Sequence, residues 1–125
     1  MNKIIISIDG PAGSGKGRIA QYISKKLNYQ HLDSGILYRR IANLINKNNI
    51  DINDKKNIKK LINNIKNLSF RKHKFLRLEK ISKIASVIAE FNFVRDFVNI
   101  QQKLLVKKAN NKNGFVIDGR DIGSV

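Results

Sequence analysis

The feature that most constrains the fold is a run of isoleucines that ends in a glycine-rich turn near the start of the chain. The segment KIIISID, residues 3–9, is continuous and β-branched, which is typical of a strand buried in a parallel sheet. It leads into the glycine-rich segment GPAGSG, residues 10–15, and then into apolar residues at helical spacing, namely Ile19, Ala20, Ile23 and Leu27. Asn28 is a suitable end for that helix. The order of strand, glycine loop and helix predicts an α/β fold.

The glycine loop has the chemistry of an anion-binding site. Backbone N–H groups in such a turn point into one small concavity, and the positive end of the following helix adds to the attraction. The pattern predicts a site for the phosphates of a nucleoside triphosphate, built from Gly10, Pro11, Ala12, Gly13, Ser14, Gly15, Lys16, Gly17 and Arg18. Lys16 supplies a mobile positive charge there. The alternative is a tight glycine turn beside a surface lysine.

The rest of the chain predicts two more parallel strands and four more helices. With the first strand at about 3–8, the others lie at about 30–32 and 115–118. The helical patterns carry apolar residues at Ile36, Leu37, Ile41, Leu44 and Ile45; Ile58, Leu61, Ile62, Ile65 and Leu68; Leu78, Ile81, Ile84, Ala85 and Ile88; and Val94, Phe97, Val98, Leu104 and Leu105. We expect residues 1–32 and 110–125 to form a partial core, and residues 33–109 a separate helical region.

Composition limits the class of protein. A chain of 125 residues fits one small domain, and the absence of cysteine excludes disulfides and thiolate metal sites. Since no apolar run reaches the ~20 residues that cross a bilayer, we expect a cytoplasmic protein without a membrane partner. The net charge of +16 indicates either attraction to polyanions or lysines on exposed positions. The even spread of the lysines favours exposed positions, so nucleic acid is not the expected partner.

Three segments outside the loop, together with the loop, resemble bacterial cytidylate kinase. The loop resembles that of the nucleoside monophosphate kinases, members of the phosphate-loop NTPase superfamily, whose pattern is G-x-x-G-x-G-K-G-[ST]. In this chain Arg18 stands at the position of the final hydroxyl residue. The cytidylate kinase pattern continues with DSG-x-x-YR, an Ala-Ser pair on a helix, VR, and DGRD-x-G-[ST]-V. This chain has the same features in the same order, in LDSGILYRR, in the segment 77–102, and in IDGRDIGSV.

The resemblance implies transfer of the γ-phosphoryl group of ATP to CMP or dCMP. Lys16, Arg120 and Asp118 would be catalytic, with Asp118 orienting the phosphate or its metal shell. The substrate would be bound by Asp33, Ser34, Arg39, Ser86, Arg95, Arg120 and Asp121. ATP and Mg²⁺ are the implied cofactors, with the ion held mainly through phosphates and water because the loop hydroxyl is missing. Neither His31 nor His73 is required, and both are interpreted as structural or surface residues.

Two departures from the family pattern qualify this expectation. The chain is shorter than the family between Phe70 and Arg77, and the family continues beyond GRDIGSV with further core strands and an arginine-rich lid. We therefore expect the first strand to lie at an open sheet edge, and activity to be reduced without the C-terminal segment. Three hypotheses remain: a fragment of a cytidylate kinase, a weakly active nucleotide binder, or a basic nucleotide- or nucleic-acid-binding module without kinase activity.

Overall fold

A computed structural model describes residues 4–10, 15–108 and 113–119 of the chain. The chain divides into two compact units, the first made of residues 1–34 with 102–125 and the second of residues 35–101. Among the helices in these described ranges, none is both long and apolar enough to cross a bilayer.

The first unit is built on a parallel sheet of three strands. The strands are β1 (Ile4–Asp9), β2 (Gln30–Asp33) and β3 (Gly114–Gly119), and β3 lies between the other two. The register places Asp118 of β3 beside both Ile8 and Asp33. The α/β class and the three predicted parallel strands are confirmed.

Burial differs sharply between the central strand and its neighbour β1. Every residue of β3 is buried, as expected of a strand with partners on both sides. In the described part of the sheet β1 has a partner on one side only, and its Ile4 and Ile5 side chains are 55% and 49% exposed. Among the described strands, β1 is therefore an outer strand of the sheet.

Helix α1 (Lys16–Leu27) joins β1 to β2 and packs on β2 and β3. It ends at Asn28, whose left-handed backbone (φ 56°) confirms the predicted stop. Its buried face differs from the predicted one, because Ala20 and Ser24 are buried whereas Ile19 and Leu27 are about half exposed. Small side chains at the contact let the helix approach the sheet closely, and the larger apolar residues lie beside that contact.

The second unit is helical. It contains most of α2 (Ser34–Lys47) and of α5 (Asn92–Lys108), together with α3 (Lys55–Asn63), a 3₁₀ turn (Lys74–Arg77) and α4 (Glu79–Ile88). Its core is aliphatic and includes Leu37, Ile41, Ile45, Ile58, Ile62, Ile81, Ile88, Val94 and Val98. Each of the four predicted helices is present, so the spacing of apolar residues located them correctly.

One predicted helix is shorter than its apolar pattern suggested. The pattern extends to Leu68, but α3 ends at Asn63, and the N–H of the capping Asn64 turns back to the carbonyl oxygens of Leu61 and Ile62. Asparagine is a weak helix former, and two in succession favour a stop. Ile65 and Leu68 still pack against the core from outside the helix, which explains the longer apolar pattern.

Candidate functional site

Lys16 is positioned by the turn that starts α1. Gly15, the residue before the helix, has a left-handed backbone with φ 84°, a conformation that side chains disfavour. Lys16 is the first residue of the helix, and its side chain is only 19% exposed. The first N–H groups of a helix lack partners within it, so this turn places a cation beside an anion-attracting helix end.

Asp118 meets Lys16 from the central strand. The carboxylate is 2% exposed, and Lys16 Nζ donates to Asp118 Oδ1 over 3.0 Å. Such a short contact between a buried carboxylate and an ammonium group is a charge-assisted hydrogen bond, stronger than one between neutral groups. The pair therefore links the helix end directly to the middle of the sheet.

His31 holds the second oxygen of the same carboxylate. Its Nε2 atom lies 2.6 Å from Asp118 Oδ2. An ionised carboxylate only accepts hydrogen bonds, so the proton of this bond resides on His31 Nε2. In the register His31 lies opposite Val116, and Asp33, two residues later, lies opposite Asp118. Because side chains two residues apart on a strand share a face, His31 and Asp118 lie on the same face of the sheet.

These contacts determine the charge of Asp118. Burial on its own raises the pKa of a carboxyl group, because it disfavours the charged form. Hydrogen bonds from His31 and Lys16, together with the positive charge of Lys16, outweigh that effect, so the pKa of Asp118 lies below its ordinary value. Asp118 is thus a fixed anion at neutral pH.

The interpretation of His31 as a structural or surface residue did not include its contact with Asp118, a predicted site residue. In β2, QHLD, His31 and Asp33 lie on one face of a short strand and are both half-buried, but this local pattern does not show which residue His31 contacts. His73, by contrast, lies in the second unit, where its Nδ1 accepts from the N–H of Phe75. That histidine caps the 3₁₀ turn and is structural, as predicted.

The other predicted site residues within the described ranges lie in both units. Ser34 is buried at the start of α2, and Asp33 ends β2. Arg39 on α2 and Arg95 on α5 are half-buried. Ser86 on α4 is exposed, and its hydroxyl donates to the carbonyl oxygen of Ser82 over 3.0 Å. A role for Ser86 in binding a base requires that this local hydrogen bond be exchanged.

The remaining predicted loop residues are partly described. Gly10 follows β1, and Gly17 and Arg18 are exposed in the first turn of α1. A Cβ atom added at Gly17 would meet none of the described residues within 4 Å. Six predicted site residues lie outside the described ranges, namely Pro11, Ala12, Gly13, Ser14, Arg120 and Asp121.

A parallel sheet whose first strand is followed in sequence by a glycine-rich segment and then by a helix beginning with lysine is the core of the phosphate-loop kinases. The carboxylate at the end of the adjacent strand completes that core. The family model for cytidylate kinase matches residues 6–125, and the chain belongs to the cytidylate kinase family.

Curated relatives agree with this assignment. The chain is 43% identical to a cytidylate kinase of Fusobacterium nucleatum over all of its own length, and 39% identical to one of Mycoplasmopsis synoviae over 95% of it. It is also 37% identical, over 98% of its length, to a bifunctional pantoate ligase/cytidylate kinase of Prochlorococcus marinus.

Length separates the chain from these relatives. It spans 60% of the Fusobacterium protein, 58% of the Mycoplasmopsis protein and 26% of the bifunctional one. The alignment with the Fusobacterium protein covers 136 positions, more than the 125 residues of this chain. That relative therefore has residues within the aligned region that this chain lacks.

Proposed function

We propose that the chain carries the ATP-binding and acceptor-binding parts of a kinase that transfers the γ-phosphoryl group of ATP to CMP or dCMP. The observation that carries the proposal is the Lys16–Asp118 pair at the carboxyl end of the sheet, in a chain of the cytidylate kinase family. Ligands of open α/β sheets bind beyond that end of the strands.

The residues around Lys16 fit a triphosphate. Gly15 and Gly17 have no side chains, and the space beside their Cα atoms is not filled by other described residues. Phosphate oxygens can therefore approach the backbone N–H groups there. Lys16 already presents its ammonium group at the same helix end. In the proposed site, residues 10–18 hold the phosphates of ATP, and Lys16 neutralises charge on the transferring group.

In the proposed site, magnesium is bound more weakly than in loops that have a hydroxyl residue after the lysine. Positions 17 and 18 are glycine and arginine, so neither offers the oxygen that usually lies next to the ion. We propose that the ion is held mainly through ATP oxygens and water. When bound, the ion would supply positive charge that neutralises the phosphates.

The acceptor site is assigned by resemblance to the cytidylate kinases, and its chemistry fits that assignment. By that resemblance Arg39 and Arg120 would bind the monophosphate, since guanidinium groups suit phosphate oxygens, with Asp33 and Ser34 beside it. Cytosine offers an amino donor next to ring and carbonyl acceptors. Asp121 would accept from the amino group, and Arg95 and Ser86 would donate to the acceptors.

The proposed reaction is a direct transfer. A phosphate oxygen of CMP forms a bond to the γ-phosphorus as the bond from that phosphorus to the β–γ bridging oxygen breaks, which yields CDP and ADP. No covalent enzyme intermediate is required. The protein contributes positioning and charge neutralisation.

A coupled assay of ADP formation tests the proposal. We expect ATP consumption with CMP or dCMP above that with AMP, UMP or no acceptor. Arg39→Ala should raise the KM for CMP, whereas Arg77→Ala, which changes an exposed arginine of the 3₁₀ turn, should not. ATP consumption that is the same with every acceptor and without one contradicts the proposal.

A further inference from the structure

Among the residues that the structure describes, two side chains contact Asp118, one on each oxygen. Lys16 occupies Oδ1 at 3.0 Å and His31 occupies Oδ2 at 2.6 Å. The carboxylate is almost fully buried, so it depends on these side chains rather than on water. An ionised group in such a place is costly unless it is paired and hydrogen-bonded.

One of the two partners has a second role. Lys16 is the cation of the proposed phosphate site, and a triphosphate brings several negative charges close to its ammonium group. Those charges draw the ammonium group away from Asp118 and also repel the Asp118 carboxylate. The buried anion therefore needs its other partner most when ATP is bound.

We propose that His31 is a positioning residue that keeps the Asp118 carboxylate hydrogen-bonded and in place while Lys16 turns its charge to the phosphates. The inference rests on the proposed ATP site. It assigns His31 an effect on ATP binding that acts through Asp118 and not through contact with the nucleotide.

The position of His31 suits this role. Lys16 belongs to the helix end that meets the glycine turn, whereas His31 belongs to β2, which is paired in register with the central strand that carries Asp118. Its ring is 23% exposed, so neighbouring groups restrict its movement. The His31–Asp118 bond is thus set by sheet pairing and does not depend on where the Lys16 side chain points.

ATP binding to folded variants, measured by calorimetry, provides the test. In His31→Phe the carboxylate keeps Lys16 in the absence of ATP but loses both of the partners seen in the described residues when ATP draws Lys16 away. Because a hydrogen bond to a charged group is lost in the bound form, we expect ATP affinity to fall roughly tenfold or more. His31→Gln places an amide donor near the position of Nε2 and should recover most of that loss.

His73→Gln is the matched control, since it changes the other histidine of the chain, in the second unit. Its ATP affinity should equal that of the wild type. A purely structural role for His31 predicts a different pattern: lower stability of the free and ATP-bound forms alike, with unchanged ATP affinity.

The outcomes separate the inference from the proposed function. If the wild type binds ATP and His31→Phe binds it equally well, the inference is overturned and the ATP site stands. If the folded wild type binds no ATP, both are overturned. Weaker binding by His31→Phe, recovery by His31→Gln and no change in His73→Gln support the inference.

A second measurement covers the case in which His31→Phe does not fold. In the wild type the imidazole N–H proton of His31 should give a hydrogen-bonded NMR signal, assigned by its absence from His31→Gln. We expect that signal to persist when ATP saturates the site. Its loss on saturation would show that the His31–Asp118 bond breaks, which overturns the inference.

Discussion

Lys16 and Asp118 are 102 positions apart in the sequence, yet their Nζ and Oδ1 atoms lie 3.0 Å apart. The contact exists because β1 and β3 pair in parallel, so the helix that follows β1 begins beside the end of β3. It joins the first residue of α1 to a buried carboxylate of the sheet. The chemistry proposed for this chain starts from that pair.

The state of Asp118 predicts how stability depends on pH. Its pKa is lower in the folded chain than in an unfolded one, so the ionised carboxylate stabilises the fold above about pH 4. That contribution should disappear as the pH falls through the lowered pKa and the carboxyl group takes up a proton. Urea unfolding of the wild type and of Asp118→Asn, from pH 7 down to pH 3, measures it.

The comparison has a defined expected result. At pH 7 the wild type should be more stable than Asp118→Asn by about 2 kcal/mol, the contribution of hydrogen bonds to a charged group. The difference should shrink towards pH 3. A difference that is constant over this range would show that the charge of Asp118 does not stabilise the fold.

Gly114 should be intolerant of any side chain. It begins β3 with φ 156°, and a Cβ atom there would collide with the carbonyl oxygen of Ile4 and press on the Tyr29 ring. Gly114→Ala should lower the free energy of unfolding by about 1–3 kcal/mol, as overpacking does. Gly17→Ala, where an added Cβ meets none of the described residues within 4 Å, is the control and should be neutral or slightly stabilising. Equal losses in the two variants would contradict this account of β3.

Arg18→Thr tests the position of the missing hydroxyl. If the loop follows the register of the monophosphate kinases, the threonine oxygen lies near the ion, and ATP binding should reach half-saturation at a lower magnesium concentration. Arg18→Ala removes the same charge without adding a hydroxyl, so it is the matched control. If both variants show the same magnesium dependence, residue 18 does not occupy the position of the family's hydroxyl residue.

Asp121→Ala should chiefly reduce discrimination between pyrimidine bases. Without a carboxylate to accept from the cytosine amino group, kcat/KM for CMP should fall by roughly tenfold or more while that for UMP changes little. Asp96→Ala, which alters an exposed carboxylate on α5, should leave both values unchanged. Equal losses for CMP and UMP in Asp121→Ala would contradict the role assigned to it.

Much of the architecture was predictable because it follows local rules. Continuous β-branched runs predicted β1 and β3, apolar spacing predicted the helices, and Asn28 predicted the end of α1. The exact end of α3 was not predictable from spacing alone, since Ile65 reaches the core without being helical. Apolar spacing reports burial, and a residue beyond a helix can be buried too.

Partners distant in sequence were harder to predict. The contact of His31 with Asp118, 87 positions away, depends on β2 lying beside β3 in a register that brings the two residues within reach. The exposure of Ile19 depends on which face of α1 meets the sheet, and the small residues Ala20 and Ser24 decide that. Neither fact follows from local spacing, because each requires the packing of elements that are separated in the chain.

Titration of ATP into the folded 125-residue chain, followed by calorimetry, tests the central claim most directly. We predict saturable binding that weakens at least tenfold in Lys16→Ala and is unchanged in Lys25→Ala, an exposed lysine in the last turn of the same helix. Absence of ATP binding by a sample that circular dichroism shows to be folded, or equal binding by the two lysine variants, would contradict it.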